Sequence, residues 1–296
     1  MIDLLIIAGP TASGKSSIAV ECAKRYNGEI ISADSMQIYR HLDIGTAKIK
    51  PEEMQGIPHH LIDIIDPDAE YSVSDYVSQV KRVIDDIHSR GKLPILCGGT
   101  GLYIKALLYG YDFGNAPKDN AIRNKYQRIL DSQGKDALYS ILKEKAPNIA
   151  AEIHPNATKR VIRALEMIDT NATPKKLEAQ YNYLMIVLDL DREVLYDRIN
   201  RRVDNMIGQG LIDETKHVLS QININSQSMQ AIGYKELIPY INNEITLDEA
   251  ILKLKQNTRN YAKRQLTFFR SFKDAVWLAP DVDNILKLVG EHYGRN

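Results

Sequence analysis

The sequence predicts an α/β protein in which a parallel sheet is covered on both faces by helices, with a helical insertion domain added. The apolar run Leu4–Ala8 leads into a glycine-rich loop and then into a helix-compatible segment. Apolar strands and amphipathic helices alternate from there to Leu108, which is the pattern of a parallel sheet. Between residues 115 and 181 the alternation stops and helical periodicity alone remains.

The other elements of the predicted sheet follow in chain order. Apolar strands fit Glu29–Ser32 and Leu93–Cys97, and the second of these opens into a glycine-rich turn. A long helix fits Val73–Ser89, because Ser72 supplies an N-cap and a glycine follows the last turn. Another helix fits Leu102–Leu108. Parallel strands end at one edge of a sheet, so ligand-binding residues are expected at their carboxyl ends.

The second part of the chain is predicted to be mostly helical. The insertion has helical periodicity, without a strand, over Ile122–Asp131, Lys135–Lys145, Ile149–Glu152 and Thr158–Asp169. Strand character returns at Tyr183–Leu190, and helices follow from residue 192, over Leu211–Ser220, Tyr234–Ile241 and Leu247–Phe272. We therefore predict a core domain of residues 1–114 and 182–296, interrupted by a helical insertion domain of residues 115–181.

Composition indicates an ordinary globular protein of a reducing compartment. Lys and Arg total 38, as do Asp and Glu, so net charge does not decide for or against nucleic acid. The distribution is uneven, with seven basic and no acidic residues from Lys253 to Lys273, and twelve basic against eight acidic from Lys118 to Glu178. Two cysteines form neither a disulfide framework nor a metal cluster. Without a signal peptide or an apolar run of roughly 18 residues, a cytoplasmic protein with no membrane partner is expected.

The loop Gly9-Pro10-Thr11-Ala12-Ser13-Gly14-Lys15-Ser16 has the pattern G-x-x-x-x-G-K-S and predicts a P-loop, NTPase-like core. Its glycines let successive backbone N–H groups point at one anion, and the following helix adds partial positive charge. Lys15 adds a full charge, and the Ser16 hydroxyl suits Mg²⁺. The loop therefore binds a diphosphate or triphosphate, without specifying which compound.

Two other strand ends carry residues with chemical potential. Asp34 follows the second strand, where a carboxylate could act as general base or hold magnesium through water; capping the next turn is the structural alternative. Thr100 lies in the turn Gly98–Gly101, which could contact phosphate or substrate, or be only a tight turn. Their position at the carboxyl edge of the sheet favours function.

Arginines follow the predicted strand that starts at Tyr183. Its segment Ile186–Asp189 resembles a Walker B strand, which is a weak signal because many buried strands end in aspartate. Arg198 and Arg202 lie four residues apart on the next helix and hence on one face. A guanidinium is a fixed fork of donors that suits a departing diphosphate, but a solvated surface helix explains the spacing as well.

The segment Arg259–Arg270 interleaves basic and aromatic residues. On a helix it offers cations for phosphates and rings for packing or base stacking. The absence of acids favours nucleic-acid binding over an ordinary amphipathic helix. His59 and His60 have no third ligand at a metal-binding spacing, and we interpret them as polar loop residues.

Taken together, these motifs resemble the bacterial tRNA dimethylallyltransferases, also called tRNA isopentenyltransferases. The resemblance spans nearly the whole chain, and Asp34-Ser35-x-Gln37 and residues 230–236 are its most diagnostic parts. Besides the P-loop, the matching segments are Asp34-Ser35-Met36-Gln37-Ile38-Tyr39, Asp43-Ile44-Gly45-Thr46-Ala47-Lys48, Gly98-Gly99-Thr100-Gly101-Leu102-Tyr103, His154-Pro155-Asn156, Lys159–Glu166, Gln230–Glu236 and Thr258–Arg270.

The resemblance implies transfer of a dimethylallyl group from dimethylallyl diphosphate to the exocyclic amine of adenosine 37 in tRNA, just 3′ of the anticodon. It implies Asp34, Thr100 and Arg202 as catalytic residues, and Mg²⁺ near Ser16. The diphosphate would be bound by Gly9, Pro10, Thr11, Ala12, Ser13, Gly14, Lys15, Ser16 and Arg198. The anticodon stem-loop of tRNA would be contacted by Asp34, Ser35, Met36, Gln37, Thr100, Arg123, Lys159, Arg160, Val161, Ile162, Arg163, Arg259, Lys263 and Arg264. A monomer is expected.

Two other functions fit part of the pattern. A small-molecule P-loop kinase would use the same loop and consume ATP, but it does not need basic stretches outside the core. A non-catalytic tRNA-binding protein would use those stretches, but it does not need Asp34 beside a P-loop. Transfer of a dimethylallyl group to tRNA uses both features.

Overall fold

The computed structural model describes residues 2–110, 119–170 and 180–294. The chain divides into two compact units, one formed by Met1–Leu108 with Gln180–Asn296 and the other by Tyr109–Ala179. The predicted start of the insertion at residue 115 lies outside the described residues. In the described part, no helix is both long and apolar enough to cross a membrane.

A parallel sheet forms the centre of the first unit. Its six described strands are β1 Leu4–Ala8, β2 Gly28–Ser32, β3 His59–His60, β4 Leu93–Gly98, β5 Tyr183–Leu188 and β6 Val276–Leu278. They lie in the order β3-β2-β4-β1-β5-β6, and every pair is parallel. In this register Ala8 pairs with Gly98 and Val187, so the carboxyl ends of β1, β4 and β5 lie side by side. The predicted α/β class is confirmed.

The described helices follow the strands in the chain order that a parallel sheet requires. Their bounds are α1 Lys15–Tyr26, α2 Pro51–Met54, α3 Val73–Ser89, α4 Gly101–Tyr109, α5 Asn120–Lys145, α6 Pro147–Ala151, α7 Thr158–Asp169, α8 Arg192–Gly208, α9 Leu211–Leu219, α10 Ile238–Ile241, α11 Leu247–Phe269 and α12 Val282–Tyr293. Leu5 and Ile7 of β1 pack with residues of α1 and α12 on one face of the sheet. Leu4 and Ile6 alternate with them and are fully buried too, so helices cover both faces.

The second unit has a core of its own, built from α5, α6 and α7. Tyr126, Leu138, Leu142 and Leu165 are buried together in it. Gly134 adopts φ 83° within α5, so the two helices predicted on either side of it meet there at a kink. Glycine tolerates this left-handed backbone conformation at little cost.

Several elements differ from the predictions, chiefly where segments are short. His59 and His60 form the edge strand β3 beside Ile30 and Ile31, so their interpretation as loop residues is wrong. Strand β6 and helix α12 were not predicted. The helix predicted from Tyr234 is regular only over Ile238–Ile241, because residues 234–237 form turns that direct the Tyr234 hydroxyl to Glu214 at 2.6 Å.

A buried carboxylate stabilises the amino-terminal edge of the sheet. Glu29 on β2 is 1% exposed and accepts hydrogen bonds from Arg90, from Lys92 at 2.7 Å and from His60 at 2.7 Å. The Arg90 hydrogen bonds, followed by those of Lys92 and His60, outweigh burial and lower the pKa of Glu29 to about 2. This ionised group therefore holds β2, β3 and the end of α3 together.

Replacing Glu29 should reduce stability in a pH-dependent way. Glu29→Gln is expected to lower the free energy of unfolding at pH 7 by about 3 kcal/mol, the value of a pKa depression of this size. The native carboxylate contributes this stability above its unfolded pKa and loses it as the pH falls from about 4.5 toward 2. Urea unfolding at pH 7 and pH 3 should show the gap shrinking in acid. A constant gap, or the same loss for exposed Glu291→Gln on α12, would contradict the assignment.

Candidate active site

A cavity of about 630 Å³ opens at the carboxyl edge of the sheet in the first unit. Segments that follow β1, β2 and β4 line it, together with side chains of α8 and α11. The predicted site residues that line it are Thr11, Ala12, Ser13, Gly14, Lys15, Ser16, Asp34, Ser35, Met36, Gln37, Arg202 and Arg264. A cavity of this size can hold a small organic ligand, a nucleoside, or the reacting parts of both together.

The loop between β1 and α1 is shaped for an anion. Gly14 adopts φ 91° directly before α1, which turns the first backbone N–H groups of the helix toward the cavity. Lys15 donates from Nζ to the carbonyl of Pro10 at 2.6 Å. The hydroxyl of Ser13 is buried without a hydrogen-bond partner among the described residues. Donors are therefore concentrated in this loop, and an anion can satisfy them.

Burial lowers the pKa of Lys15 to about 8. The neighbouring Arg202 also lowers this pKa, whereas Cys97 and Asp34 raise it, and the value of about 8 includes all of these effects. Arg202 extends from α8 and donates to the Thr11 hydroxyl at 3.3 Å, so both cations face the same loop. Burial also lowers the pKa of Arg202, and an arginine stays protonated despite such a shift.

Asp34 lies on the cavity wall immediately after β2 and Ala33. Its Oδ1 accepts the backbone N–H of Met36 at 2.9 Å and that of Gln37 at 3.4 Å. Within the described part of the chain, its Oδ2 makes no hydrogen bond. The side chain therefore caps the turn with one oxygen and leaves the other free to accept a proton from a ligand.

The segment after Asp34 is held in place by hydrogen bonds that involve Thr100 and Gln37. Thr100 lies behind it and accepts the backbone N–H of Ser35 on Oγ1 at 3.0 Å. Gln37 donates from Nε2 to the carbonyls of Thr46 at 3.2 Å and Ala47 at 3.4 Å. Thr100 thus supports the segment that carries Asp34 by bonding Ser35, and it does not line the cavity itself.

Close backbone approach explains one glycine of the second turn. A Cβ atom at Gly98 would collide with the backbone of Ala33, the residue between β2 and Asp34. The ends of β2 and β4 can lie this close because no side chain separates them. The turn therefore brings Thr100 to Ser35.

Two polar residues of α11 complete the site, the buried Gln265 and the half-buried Tyr261. Sequence reasoning considered the Tyr261 ring only for packing or base stacking and gave Gln265 no role. Gln265 is 6% exposed and hydrogen-bonds to both glycine-rich loops. Tyr261 lines the cavity near Thr100 and Gln265, and burial raises the pKa of its phenol despite those neighbours. The available signal in the sequence was that each of these two polar residues lies on a helix face that is mostly apolar.

The predicted arginines are separated by the structure. Arg202 lines the cavity, whereas Arg198 is exposed on α8 and does not. On α11, Lys263 and Arg264 are exposed, and Arg264 lies 5.7 Å from the centre of the Tyr261 ring. Arg259 instead donates to Asn200 at 2.7 Å. Of the charges predicted to bind tRNA in this segment, Lys263 and Arg264 are thus the most accessible.

In the second unit, the predicted tRNA contacts fall into three groups. Arg123 and Arg163 bind the fully buried carboxylate of Glu166, at 2.9 and 2.7 Å. Lys159 and Arg160 are exposed at the start of α7. Val161 and Ile162 are 1% and 7% exposed, so their side chains pack inside the helical core, and a contact of this stretch with tRNA stays a prediction. The 3.6-residue period turns these two inward.

The residues present fit a magnesium ion that is bound mainly through a ligand. Across the described residues, no group of three or more His, Cys, Asp or Glu side chains is placed to hold a metal. Mg²⁺ usually keeps several waters and binds one or two protein oxygens together with phosphates. The Ser16 hydroxyl on the cavity wall offers such an oxygen beside the anion-binding loop.

A family model described as IPP transferase matches residues 37–272. The chain belongs to the IPP transferase family. Among relatives, the tRNA dimethylallyltransferase of Oceanobacillus iheyensis is 50% identical over 281 residues, which cover 93% of this chain and 90% of that one. The tRNA dimethylallyltransferase of Bacillus subtilis is 48% identical over 293 residues, covering 96% and 93%.

Solved structures agree with this membership of the IPP transferase family. The full-length tRNA isopentenylpyrophosphate transferase from Bacillus halodurans matches with a TM-score of 0.75 at 47% identity, covering 98% of this chain and 95% of that chain. A eukaryotic dimethylallyltransferase described as acting on tRNA matches with a TM-score of 0.77 at 30% identity, covering 93% and 73%. The sequence-based assignment to tRNA dimethylallyltransferases is confirmed, against the kinase alternative.

The pKa of Lys15 predicts how anion binding depends on pH. Lys15 loses its charge above about pH 8 in the free protein, and a bound diphosphate favours the charged form. The Kd of dimethylallyl diphosphate, measured without tRNA, should therefore rise above pH 8 by up to about tenfold per pH unit. The ligand does not titrate there, because phosphate monoesters lose their second proton near pH 6.

Lys15→Ala is the control for this titration. It should bind dimethylallyl diphosphate weakly, with a Kd that hardly changes between pH 7 and 9.5, because the titrating cation is gone. Calorimetry in buffers of different ionisation enthalpy should detect proton uptake on binding by the unaltered protein near pH 8. A pH-independent Kd for the unaltered protein would exclude Lys15 as the titrating ligand contact.

Proposed function

We propose that this protein transfers the dimethylallyl group of dimethylallyl diphosphate to the exocyclic amine of an adenosine in tRNA and releases diphosphate. One observation supports the chemistry most strongly: a single cavity joins the anion-binding loop to a carboxylate with a free oxygen. The names of the similar proteins supply the substrate class. The target is adenosine 37, and the protein acts as a cytoplasmic monomer.

The leaving group is stabilised at the loop end of the cavity. When the bond between C1 of the dimethylallyl group and the diphosphate oxygen breaks, its electron pair stays on the diphosphate. Lys15, Arg202 and the backbone N–H groups at the start of α1 are placed to stabilise the charge that develops. A magnesium ion held by Ser16 and the phosphates would supply further positive charge there.

The nucleophile is activated by Asp34, which lines the same cavity. As the adenosine nitrogen bonds to C1, it becomes cationic and must lose one proton. Oδ2 of Asp34 accepts that proton, since Oδ1 is already occupied by two backbone N–H groups. The step needs no ATP, because cleavage of the allylic diphosphate drives it.

The target base must leave its stack to reach this cavity. Unstacking costs less in an anticodon loop than in a duplex, which favours a loop nucleotide as the acceptor. In the first unit, Lys263 and Arg264 offer accessible charge to the tRNA backbone. In the second unit, Lys159 and Arg160 do the same at the start of α7.

Asp34→Asn tests the proposed base. This variant keeps the shape of the side chain but cannot accept a proton, so single-turnover transfer should slow by about 10²–10⁴-fold. Affinities for tRNA and dimethylallyl diphosphate should stay near those of the unaltered protein, which marks a contact made in the transition state. The assay follows labelled dimethylallyl groups into unmodified tRNA in excess, without ATP.

The control for charge loss is Asp85→Asn, an exposed position on α3. It should transfer at the unaltered rate. Full-speed transfer by Asp34→Asn would remove Asp34 from the mechanism. No transfer by the unaltered protein would overturn the proposed function itself.

Salt dependence tests the basic face of α11. The double variant K263A/R264A should bind tRNA more weakly, and the slope of log K against log salt should fall by up to about two units, one for each lost phosphate contact. R82A/K287A removes one arginine and one lysine from other helices and should leave that slope unchanged. A collapse of dimethylallyl diphosphate affinity in K263A/R264A would place the pair in the inner site instead.

A further inference from the structure

We propose that Gln265 is a positioning residue that fixes the anion-binding loop and the base-bearing segment relative to each other. The inference rests on the proposed function, because it concerns the alignment of leaving group and nucleophile. Gln265 extends from α11 and is 6% exposed. It also lines the cavity, and its side-chain amide is bonded to the two loops that it joins.

Both halves of the Gln265 amide are used, each on a different loop. Its Oε1 accepts the backbone N–H of Thr11 at 2.9 Å. Its Nε2 donates to the carbonyl of Gly99 at 2.9 Å. Thr11 follows β1 and Gly99 follows β4, so one side chain links the ends of two neighbouring strands.

From these two bonds, contacts continue to both ends of the cavity. On one side, the Thr11 hydroxyl accepts from Arg202 at 3.3 Å, which orients the cation expected at the diphosphate. On the other, Gly99 precedes Thr100, whose hydroxyl accepts the backbone N–H of Ser35 at 3.0 Å. Ser35 follows Asp34 directly, so the network runs from the leaving-group side to the base.

The Gln265 amide packs closely against Gly99. A Cβ atom at Gly99 would collide with Nε2 of Gln265, so the amide occupies the space that the glycine leaves. The loop can therefore shift little while Gln265 stays in place. Displacing reacting groups by about 1 Å can cost 10²-fold in rate, which makes such a link consequential for the chemical step.

Helix α11 does not depend on Gln265 for its own packing. Ala262 packs against Leu195 and Ile199 of α8, and Phe269 is fully buried. A variant at Gln265 should therefore fold, with two backbone groups left without their partner. The expected defect is misalignment in a folded protein.

The test compares Gln265→Met with Gln227→Met. Gln227 is a matched control, because it also accepts a backbone N–H and donates to a backbone carbonyl, both of Tyr71, and it does not line the cavity. Q265M should lower the single-turnover rate, with both substrates saturating, by tenfold or more while the Kd of dimethylallyl diphosphate changes less than about threefold. Q227M should keep the unaltered rate per folded molecule. A smaller fall for Q265M, or an equal fall for Q227M, overturns the inference.

Gln265→Glu tests the hydrogen bond donated to Gly99 separately from the one accepted from Thr11. It replaces Q265M as the test if Q265M does not fold. A protonated glutamic acid can accept from Thr11 and donate to Gly99, whereas its carboxylate can only accept. The single-turnover rate of Q265E relative to the unaltered protein should therefore fall as the pH rises, with the folded fraction monitored by circular dichroism. A pH-independent ratio overturns the inference. Absence of transfer by the unaltered protein would instead be a failure of the proposed function.

Discussion

The positive charge at the end of β1 has no ion-pair partner among the described residues, and the active site is organised around it. Among the described residues, no carboxylate lies within ion-pair distance of Lys15 or Arg202. Burial lowers the pKa of both cations, so keeping them charged in this loop costs free energy, and an anionic ligand offsets that cost. Lys15 follows the Gly14 turn at the end of β1, and Arg202 reaches the same loop from α8, so the fold brings the two charges together.

The two ends of β2 illustrate how one strand serves stability and chemistry separately. At its amino end, Glu29 is buried and hydrogen-bonded by Arg90, Lys92 and His60, which fixes its charge. Beyond its carboxyl end, Asp34 uses one oxygen for the turn and keeps the other free within the described residues. The first carboxylate is saturated and structural. The second retains an acceptor, as a proton-abstracting group requires.

The sequence predicted the strands that are long and apolar, and the motifs whose chemistry depends on neighbouring residues. The loop Gly9–Ser16 and Asp34 fall within this class, because a strand end and a few following residues define them. Strand β3 was missed because two residues are too few to show an alternating pattern. Its strand conformation depends on pairing with β2. Gln265 was missed because its partners Thr11 and Gly99 lie far away along the chain. A single polar residue on a mostly apolar helix face is visible in the sequence, but its distant partners are not.

We propose that one cavity binds an allylic diphosphate and delivers its hydrocarbon to an amine. Identifying the product formed without ATP is the most direct test of this. The protein is incubated with dimethylallyl diphosphate and unmodified tRNA. One sample of the tRNA is digested to nucleosides and another to oligonucleotides, and both are analysed by mass spectrometry. We expect one adenosine per tRNA to carry a dimethylallyl group on its exocyclic nitrogen, 3′ of the anticodon, with one diphosphate released for each. Unmodified adenosine, or a phosphorylated product that appears only when ATP is added, would contradict it.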